Sequence, residues 1–387
     1  MPTLKVIVKR LNRRKSPVLD FDDKSNVVDV VSKGYAFEST GEITNRLGTW
    51  YKDRDGYYYW EAGLELLARK TTPNFLADET AEQLTHPFDA VTMSWGHQFC
   101  NIPFIWRDLD TMGGNVTVAI IDTGIDVEHS DLKKNIHSLS KSFVGGSIAD
   151  VHGHGTNMAG IVAADGTSKV FGVAPAAKIL VVKAAEQKND VDLETFAEAI
   201  NFASSIPEVD FISISYSVVT DHPSFKQAVL NACKVNKMVL GAIGNARDIT
   251  NPDGPDDNTF PACYNPELPD QTGVLGIGAF NEAGNLSEFS NWSKHLKCLA
   301  PGESILTTHI GNETKEDNGT SIATAFTAGC LALMISFCKS KNLDIQRCVP
   351  AILSTCDDIG ITIGPDIRTG YGRINLRNAI SKIKEMT

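Results

Sequence analysis

Short apolar runs alternate with amphipathic segments from about residue 115 onward. Residues 115–122 are β-branched and apolar on both faces, which is typical of a central strand in a parallel sheet. Further strands are predicted at residues 178–183, 211–216, 239–245 and 274–279, and helical spacing occurs at 193–203 and 225–233. This alternation predicts an α/β fold with a doubly wound, mostly parallel sheet.

The longest apolar segment follows a glycine turn and ends near Cys338. Residues 323–337 are rich in Ala, Leu, Met and Ile, so they predict a helix that is buried on most sides. A run of that length is too short to span a membrane. Glycines also flank His154, and the small and apolar residues after it predict a second closely packed helix.

The first seventy residues have a different pattern. Runs at residues 5–8 and 27–31 predict strands, and Asp55-Gly56 between two aromatic segments predicts a β-hairpin. The aromatic residues from Trp50 to Trp60 cannot all be buried, because strand neighbours point to opposite sides. Residues 70–93 predict mostly a linker, with a short helix at 78–84.

Composition narrows the class of protein. The chain has 387 residues, 42% hydrophobic and 21% charged, as expected for a globular protein with one large and one small domain. A net charge of −11 lacks the basic excess of a general nucleic-acid binder. No signal-peptide core follows the N-terminus, so we expect a cytoplasmic protein without a membrane partner. The 8 cysteines contain no Cys-x-x-Cys pair, which favours reduced, packed thiols.

Three residues with nucleophilic or acid–base chemistry lie at the ends of predicted elements. Asp122 ends the strand at 115–122, His154 begins a helix, and Ser321 lies where the glycine turn meets the long helix. Each also has a structural interpretation: a turn-capping Asp, a structural His and a helix N-cap Ser. His152-x-His154 resembles a metal pair, but no third ligand has matching spacing. Asn245 ends a further strand.

The order Asp…His…Ser and the local motifs resemble the subtilisin-like serine proteases (subtilases). The catalytic motifs are Asp122-Thr-Gly, His154-Gly-Thr, Gly244-Asn245 and Gly319-Thr-Ser321, and the resemblance covers residues 93–380. It implies a sheet of subtilisin type and peptide-bond hydrolysis through an acyl-enzyme. His154 would be the base, Asp122 its orienting carboxylate, Ser321 the nucleophile and Asn245 an oxyanion donor.

The same resemblance assigns substrate-binding residues. Ser215-Tyr216-Ser217 replaces the family's Ser-Leu-Gly, so the wall of the S1 pocket should be narrower. Gly244 lies beside the oxyanion donor. Thr259 is at the position that forms the bottom of the S1 pocket in the family. The sequence departs from the usual family motifs at two further positions, with Asn157 in place of a second His and Ala325 in place of Pro. Neither position carries chemistry.

No cofactor is expected, although many subtilases bind calcium. Asp131 matches a family calcium ligand. The loop at 165–170, which follows the helix of His154, is short, and Lys169 within it disfavours a cation. We therefore assign no metal ligands.

The N-terminal segment resembles bacterial SH3-like (SH3b) domains through its Leu-Asn-Arg…Pro, Lys33-Gly34 and Trp50-Tyr-Lys segments. The implied organisation is a small all-β SH3-like barrel at 1–68, a linker at 69–92 and a peptidase domain at 93–387. The barrel would either bind a partner protein or dock on its own catalytic domain.

Two other functions share these residues. A catalytically silent subtilase-fold scaffold would bind peptides without cleaving them, and an esterase or transpeptidase would use the same acyl-enzyme. The intact Asp122, His154, Ser321 and Asn245 favour a serine endopeptidase that acts on protein or peptide substrates. We expect a narrow substrate range, because a cytoplasmic protease needs restraint.

Overall fold

The structure is a computed structural model. It describes residues 92–187, 191–246, 259–264, 273–360 and 363–385, and the strand segments 2–6, 10–14, 27–32, 36–38, 41–45, 48–54, 57–60 and 64–69. Contacts divide the chain into two compact units, Met1–Leu84 and Thr85–Thr387. The linker predicted at 69–92 and its helix at 78–84 lie almost wholly outside the described residues.

The first unit consists of antiparallel strands in its described part. The strands are β1 (Pro2–Val6), β2 (Arg10–Arg14), β3 (Val27–Ser32), β4 (Ala36–Glu38), β5 (Gly41–Asn45), β6 (Gly48–Lys52), β7 (Tyr58–Trp60) and β8 (Leu64–Arg69). They form a three-stranded sheet in the order β4-β1-β8 and a five-stranded sheet in the order β3-β2-β7-β6-β5. The SH3-like assignment stays a prediction.

The aromatic strands β6 and β7 pair with each other. Trp50 lies opposite Trp60 in the register of the two strands, and Asp53 at the end of β6 bonds Tyr57 and Tyr59. Its carboxylate accepts hydrogen bonds from the Tyr57 amide at 2.9 Å and the Tyr59 hydroxyl at 2.7 Å. Tyr59 is buried and Tyr57 is half-buried. The turn residues Asp55 and Gly56 lie outside the described part.

The second unit contains a seven-stranded sheet in which every strand pair is parallel. Its strands are β9 (Thr117–Asp122), β10 (Lys141–Ser142), β11 (Lys178–Lys183), β12 (Phe211–Ile214), β13 (Met238–Ala242), β14 (Val274–Phe280) and β15 (Leu296–Pro301). Their order is β10-β11-β9-β12-β13-β14-β15. The predicted parallel sheet is confirmed, and all five predicted strands belong to it.

Helices cover both faces of this sheet. They are α1 (Trp95–Phe99), α2 (Ile102–Leu109), α3 (His154–Ala163), α4 (Leu193–Ser205), α5 (Pro223–Lys234), α6 (Thr320–Ser340), α7 (Cys348–Ser354) and α8 (Leu376–Lys384). Alternate residues of β9 face two different cores: Val118 and Ile120 pack with α3 and α6, whereas Ala119 and Ile121 pack with α4 and α5. An antiparallel hairpin of β16 (Ile305–His309) and β17 (Glu313–Asp317) precedes α6.

Helix α6 is longer than the sequence predicted. It has 21 residues and a mean hydropathy of 1.8, so by length and composition it could cross a membrane. The prediction that this segment is too short was therefore wrong. The apolar 18-residue stretch of this helix is 100% buried inside the protein, which confirms the predicted core helix.

None of the eight cysteines, all of which lie in the described part of the chain, forms a disulfide. Six are buried and two, Cys263 and Cys356, are half-buried. The Sγ atoms of Cys338 and Cys348 lie 3.6 Å apart in the core. This arrangement agrees with thiols that pack as small apolar side chains.

Candidate active site

Three of the predicted site segments leave the sheet at its carboxyl edge. Asp122 is the last residue of β9, Ser215 follows β12, and Asn245 follows β13 by three residues. These three strands are neighbours in the sheet. Open α/β sheets bind ligands at this edge, because parallel strands end there together.

Asp122 and His154 form a buried hydrogen bond. The Nδ1 atom of His154 lies 2.7 Å from Oδ1 of Asp122, and the two residues are 5% and 2% exposed. The amide of Thr123 also donates to Oδ1, at 2.8 Å. A carboxylate only accepts, so Nδ1 carries a proton, and in the neutral imidazole Nε2 keeps its lone pair.

The glycines around His154 allow the helix to approach the strand end closely. A Cβ on Gly155 would lie 2.2 Å from the carbonyl oxygen of Gly124. Gly153, at the N-cap, has φ of 101° and packs against His309. A side chain at Gly155 would clash with the backbone that follows Asp122, and one at Gly153 would clash with the His309 ring.

Asp150 holds the loop that leads into α3. One carboxylate oxygen accepts from the amides of His152 and Gly153, and the other accepts from the amide and hydroxyl of Thr156. Burial raises the pKa of Asp150, but these hydrogen bonds outweigh burial and leave the pKa below its usual value. Sequence reasoning missed this residue, because an isolated Asp in a loop gives no distinctive signal.

Ser321 is the second residue of α6 and is 3% exposed. Its interpretation as the N-cap is wrong, because Gly319 occupies that position with φ of 149°. A Cβ on Gly319 would lie 3.0 Å from Oγ of Ser321 and 3.3 Å from Nδ2 of Asn245. The space above this glycine is therefore flanked by the hydroxyl and by an amide donor.

Thr320 fixes the orientation of Asn245. Its amide and its hydroxyl both donate to Oδ1 of Asn245 at 2.8 Å, and the hydroxyl accepts from the Gly244 amide at 3.2 Å. Oδ1 is thus occupied, and Nδ2 remains as the donor. Sequence reasoning quoted Thr320 within a motif but missed this role, which depends on two segments meeting.

A cavity of about 300 Å³ opens beside Ser321. Its walls are formed by Val191, Ser215, Tyr216, Ser217, Val218, Ala242, Asn245, Thr320 and Ser321. The predicted residues Gly244 and Thr259 are not among the residues that line this cavity. The Thr259 methyl packs near Gly244, and its hydroxyl donates to the Ile243 carbonyl at 2.6 Å. Their role in substrate binding stays a prediction.

His154 contacts Tyr216, which is one of the residues that line this cavity. The two rings pack edge to face with centroids 5.5 Å apart. The Nε2 atom of His154 is buried and forms no hydrogen bond with any residue that the structure describes, Ser321 included. In serine hydrolases without substrate this contact is often long, and it shortens when substrate binds.

The surroundings of Asp131 do not fit a calcium ion. Its carboxylate is buried and accepts hydrogen bonds from the amides of Ser168, Lys169 and Val170. Calcium needs several oxygen ligands that converge, whereas N–H groups converge here. In the described part of the chain, no group of three His, Cys, Asp or Glu residues could hold a metal ion.

Comparison with known proteins finds one matching family and several similar proteases. The profile of the subtilase family (Peptidase S8) matches residues 113–360, and the described sheet with its helices fits that α/β fold. The major intracellular serine protease of Bacillus subtilis (strain 168) is 36% identical over 266 residues, which is 67% of this chain and 79% of that protein. The intracellular serine protease of Paenibacillus polymyxa is 35% identical over 246 residues, 62% of this chain and 72% of that protein. Subtilisin DY of Bacillus licheniformis is 32% identical over 272 residues, 69% and 91% respectively.

Proposed function

Because this chain belongs to the subtilase family and is a serine endopeptidase, we propose that Asp122, His154 and Ser321 form its catalytic triad. The observation that carries this proposal is the buried 2.7 Å hydrogen bond between His154 and Asp122. It leaves Nε2 as the basic atom, on an imidazole whose ring contacts the wall of the cavity that Ser321 lines.

Acylation follows from these positions. Nε2 of His154 takes the proton of Ser321 as Oγ attacks the scissile carbonyl carbon, and the C–N bond then breaks as the same proton passes to the leaving amine. Asp122 stabilises the imidazolium that forms between these steps. Water then attacks the ester with His154 again as the base, which releases the acid product and free Ser321. No cofactor takes part in this sequence.

The oxyanion hole lies above Gly319. Nδ2 of Asn245 and the amide of Ser321 would donate to the oxygen that becomes negative in the tetrahedral intermediate. Both donors are preorganised: Thr320 orients the Asn245 amide, and the amide of Ser321 lies in the first turn of α6, where the helix dipole is positive.

Thr320→Val is expected to lower kcat about 10-fold with little change in KM, since valine keeps the shape but frees Oδ1 of Asn245 from its hydroxyl donor. Steady-state kinetics on a chromogenic peptide measure both constants. Thr327→Val is the matched control, because among the described residues the Thr327 hydroxyl bonds its own helix, at the Ala323 carbonyl. Equal kcat in the Thr320 variant and the wild type would mean that Thr320 does not position the oxyanion donor.

We further propose a cytoplasmic enzyme with a narrow substrate range. Two relatives named as intracellular proteases support this location. The first unit, if SH3-like, would recruit the protein substrate or regulate access to the cleft, and would be the contact for any partner protein. Neither nucleic acid nor membrane is proposed as a partner.

Removal of the first unit tests its role. A chain that begins at Thr85 is expected to hydrolyse short peptides as fast as the full chain. It should cleave the natural protein target about 10-fold more slowly, because a lost recruitment contact lowers the local substrate concentration. The target can be found as a protein that is cut in lysate by the wild type but not by Ser321→Ala. Equal rates on that target would end the recruitment proposal.

A further inference from the structure

Tyr216 carries a buried hydroxyl that the mechanism above does not use. The residue is 6% exposed, and its ring packs between His154, at 5.5 Å, and Phe196, at 5.1 Å. Its hydroxyl oxygen is buried and has no hydrogen-bond partner among the described residues. A phenol is normally paired when it is buried, so this hydroxyl calls for a partner.

Two carboxylates act on this hydroxyl. Burial is the main reason why the pKa of Tyr216 is far above its ordinary value, and the charges of Asp122 and Asp150 raise it further. Both oxygens of Asp150 already accept hydrogen bonds from the loop before α3. Oδ1 of Asp122 is occupied by His154 and Thr123, whereas Oδ2 is buried and has no partner in the described part of the chain.

Neither Lys183 nor His154 bonds Oδ2 of Asp122. Lys183 lies opposite Asp122 in the register of β11 and β9, but its amine bonds the Ala149 carbonyl at 2.8 Å and Glu186 at 2.9 Å. His154 contacts Asp122 through Nδ1 and Oδ1. An unused buried donor and an unused buried acceptor therefore remain around the same imidazole.

We propose that the Tyr216 hydroxyl donates a hydrogen bond to Oδ2 of Asp122 through one bridging water molecule, which makes Tyr216 a positioning residue for the Asp122–His154 pair. The inference rests on the triad proposed above. Direct contact is not formed in the structure, and buried water molecules commonly bridge polar groups that otherwise have no partner. The bond holds the carboxylate plane toward His154 and withdraws part of its negative charge.

Substrate is the weaker candidate for the hydroxyl's partner. Tyr216 contributes to the cavity wall, but its hydroxyl oxygen is shielded from solvent, so the surface that it offers to the cavity comes from other atoms of the residue.

Tyr216→Phe tests the inference, because it keeps the ring and removes the hydroxyl. We expect kcat to fall about 5-fold with KM unchanged. The acidic limb of the pH profile of kcat/KM should move up by about half a pH unit, since a more fully charged Asp122 favours the protonated imidazole. The low-field proton resonance of the His154 Nδ1–H···Oδ1 bond should shift in the same variant.

Tyr264→Phe is the matched control. Tyr264 is also buried and packs against Phe225 and Phe260, but its hydroxyl donates to Asp221 at 3.0 Å and accepts from the His222 amide at 3.2 Å. Its variant should leave the pH profile and the low-field resonance unchanged. If Tyr216→Phe does not fold, Tyr216→Leu removes the same hydroxyl and is measured in the same assays.

Two results would overturn the inference: a raised KM with an unchanged pH profile, which means that the hydroxyl binds substrate, or no change in any readout. Both presuppose an active wild type and an inactive Ser321→Ala. If Ser321→Ala itself retains activity, the proposed triad has failed, and the role of Tyr216 fails with it for that separate reason.

Discussion

Ser321→Ala is expected to lower kcat for peptide hydrolysis by about 10⁶-fold, the loss that removal of the nucleophile causes in subtilisin. Without Oγ no acyl-enzyme forms, and the oxyanion donors can only assist direct attack by water. Substrate should still bind with nearly unchanged affinity, because Ser321 is one of nine residues that line the cavity. Steady-state assays on a chromogenic peptide give kcat, and a separate binding experiment gives Kd. Together they distinguish a loss of chemistry from a loss of binding.

Ser287→Ala is the control for this variant. Ser287 is also fully buried, and its hydroxyl has no hydrogen-bond partner among the residues that the structure describes. Its replacement should leave kcat within about 2-fold of the wild type, since loss of an unpaired hydroxyl is nearly neutral. A comparable loss of kcat in both serine variants would point to a folding defect and would contradict the assignment of Ser321.

Asp122→Asn is expected to lower kcat by about 10⁴-fold. The shape of the side chain is kept, but its amide can donate to Nδ1 of His154 and so stabilise the tautomer that carries a proton on Nε2. That tautomer cannot accept the proton of Ser321. The pH profile of kcat measures the effect, and the loss should persist across the neutral range.

Asp210→Asn is the control, because it also removes a buried carboxylate but does so at the start of β9, whereas Asp122 lies at the end of that strand. Asp210 accepts from the Thr117 amide at the start of β9 at 3.0 Å and pairs with Lys339 at 2.6 Å. This variant should melt at a lower temperature but keep kcat within about 3-fold, because it does not contact the site. A fall in kcat of less than about 10-fold in Asp122→Asn would exclude Asp122 as the orienting carboxylate.

The sheet was predictable where its strands are buried on both faces. Strands such as β9 and β12 read as continuous apolar runs, and the structure confirms them. Strand β15 was missed because Lys297 interrupts its apolar run and Pro301 ends it. Strand β10 has only two residues, neither of them buried, so it leaves no hydrophobic pattern.

The apolar composition of α6 predicted the helix but not where it begins and ends. Its first residues, Thr320 and Ser321, resemble a turn in the sequence, and its last residues include Lys339. At its N-terminus the Gly319 carbonyl accepts a hydrogen bond from the Ala323 amide at 3.2 Å, so the helix begins before the apolar run, and at its C-terminus it continues into the exposed residues Lys339 and Ser340. Periodicity alone could not locate these ends.

The sequence predicted the residues that carry the chemistry of the candidate site, but it did not predict the residues that orient them. Asp122, His154, Ser321 and Asn245 could be proposed because their chemistry falls at element ends in a distinctive order. Thr320, Asp150 and the Tyr216 hydroxyl could not, since their roles depend on which atoms face each other after folding. Orientation of side chains is decided by packing, which a sequence pattern does not record.

The most direct test of the triad is intact mass after treatment with a fluorophosphonate. The wild type is expected to gain a single adduct that peptide mapping places on Ser321, while Ser321→Ala gains none and Ser287→Ala reacts like the wild type. Labelling of Ser321→Ala would contradict the assignment of the nucleophile. A folded wild type that stays unlabelled, both as the full chain and from Thr85 onward, would contradict the triad itself and favour a peptide-binding scaffold.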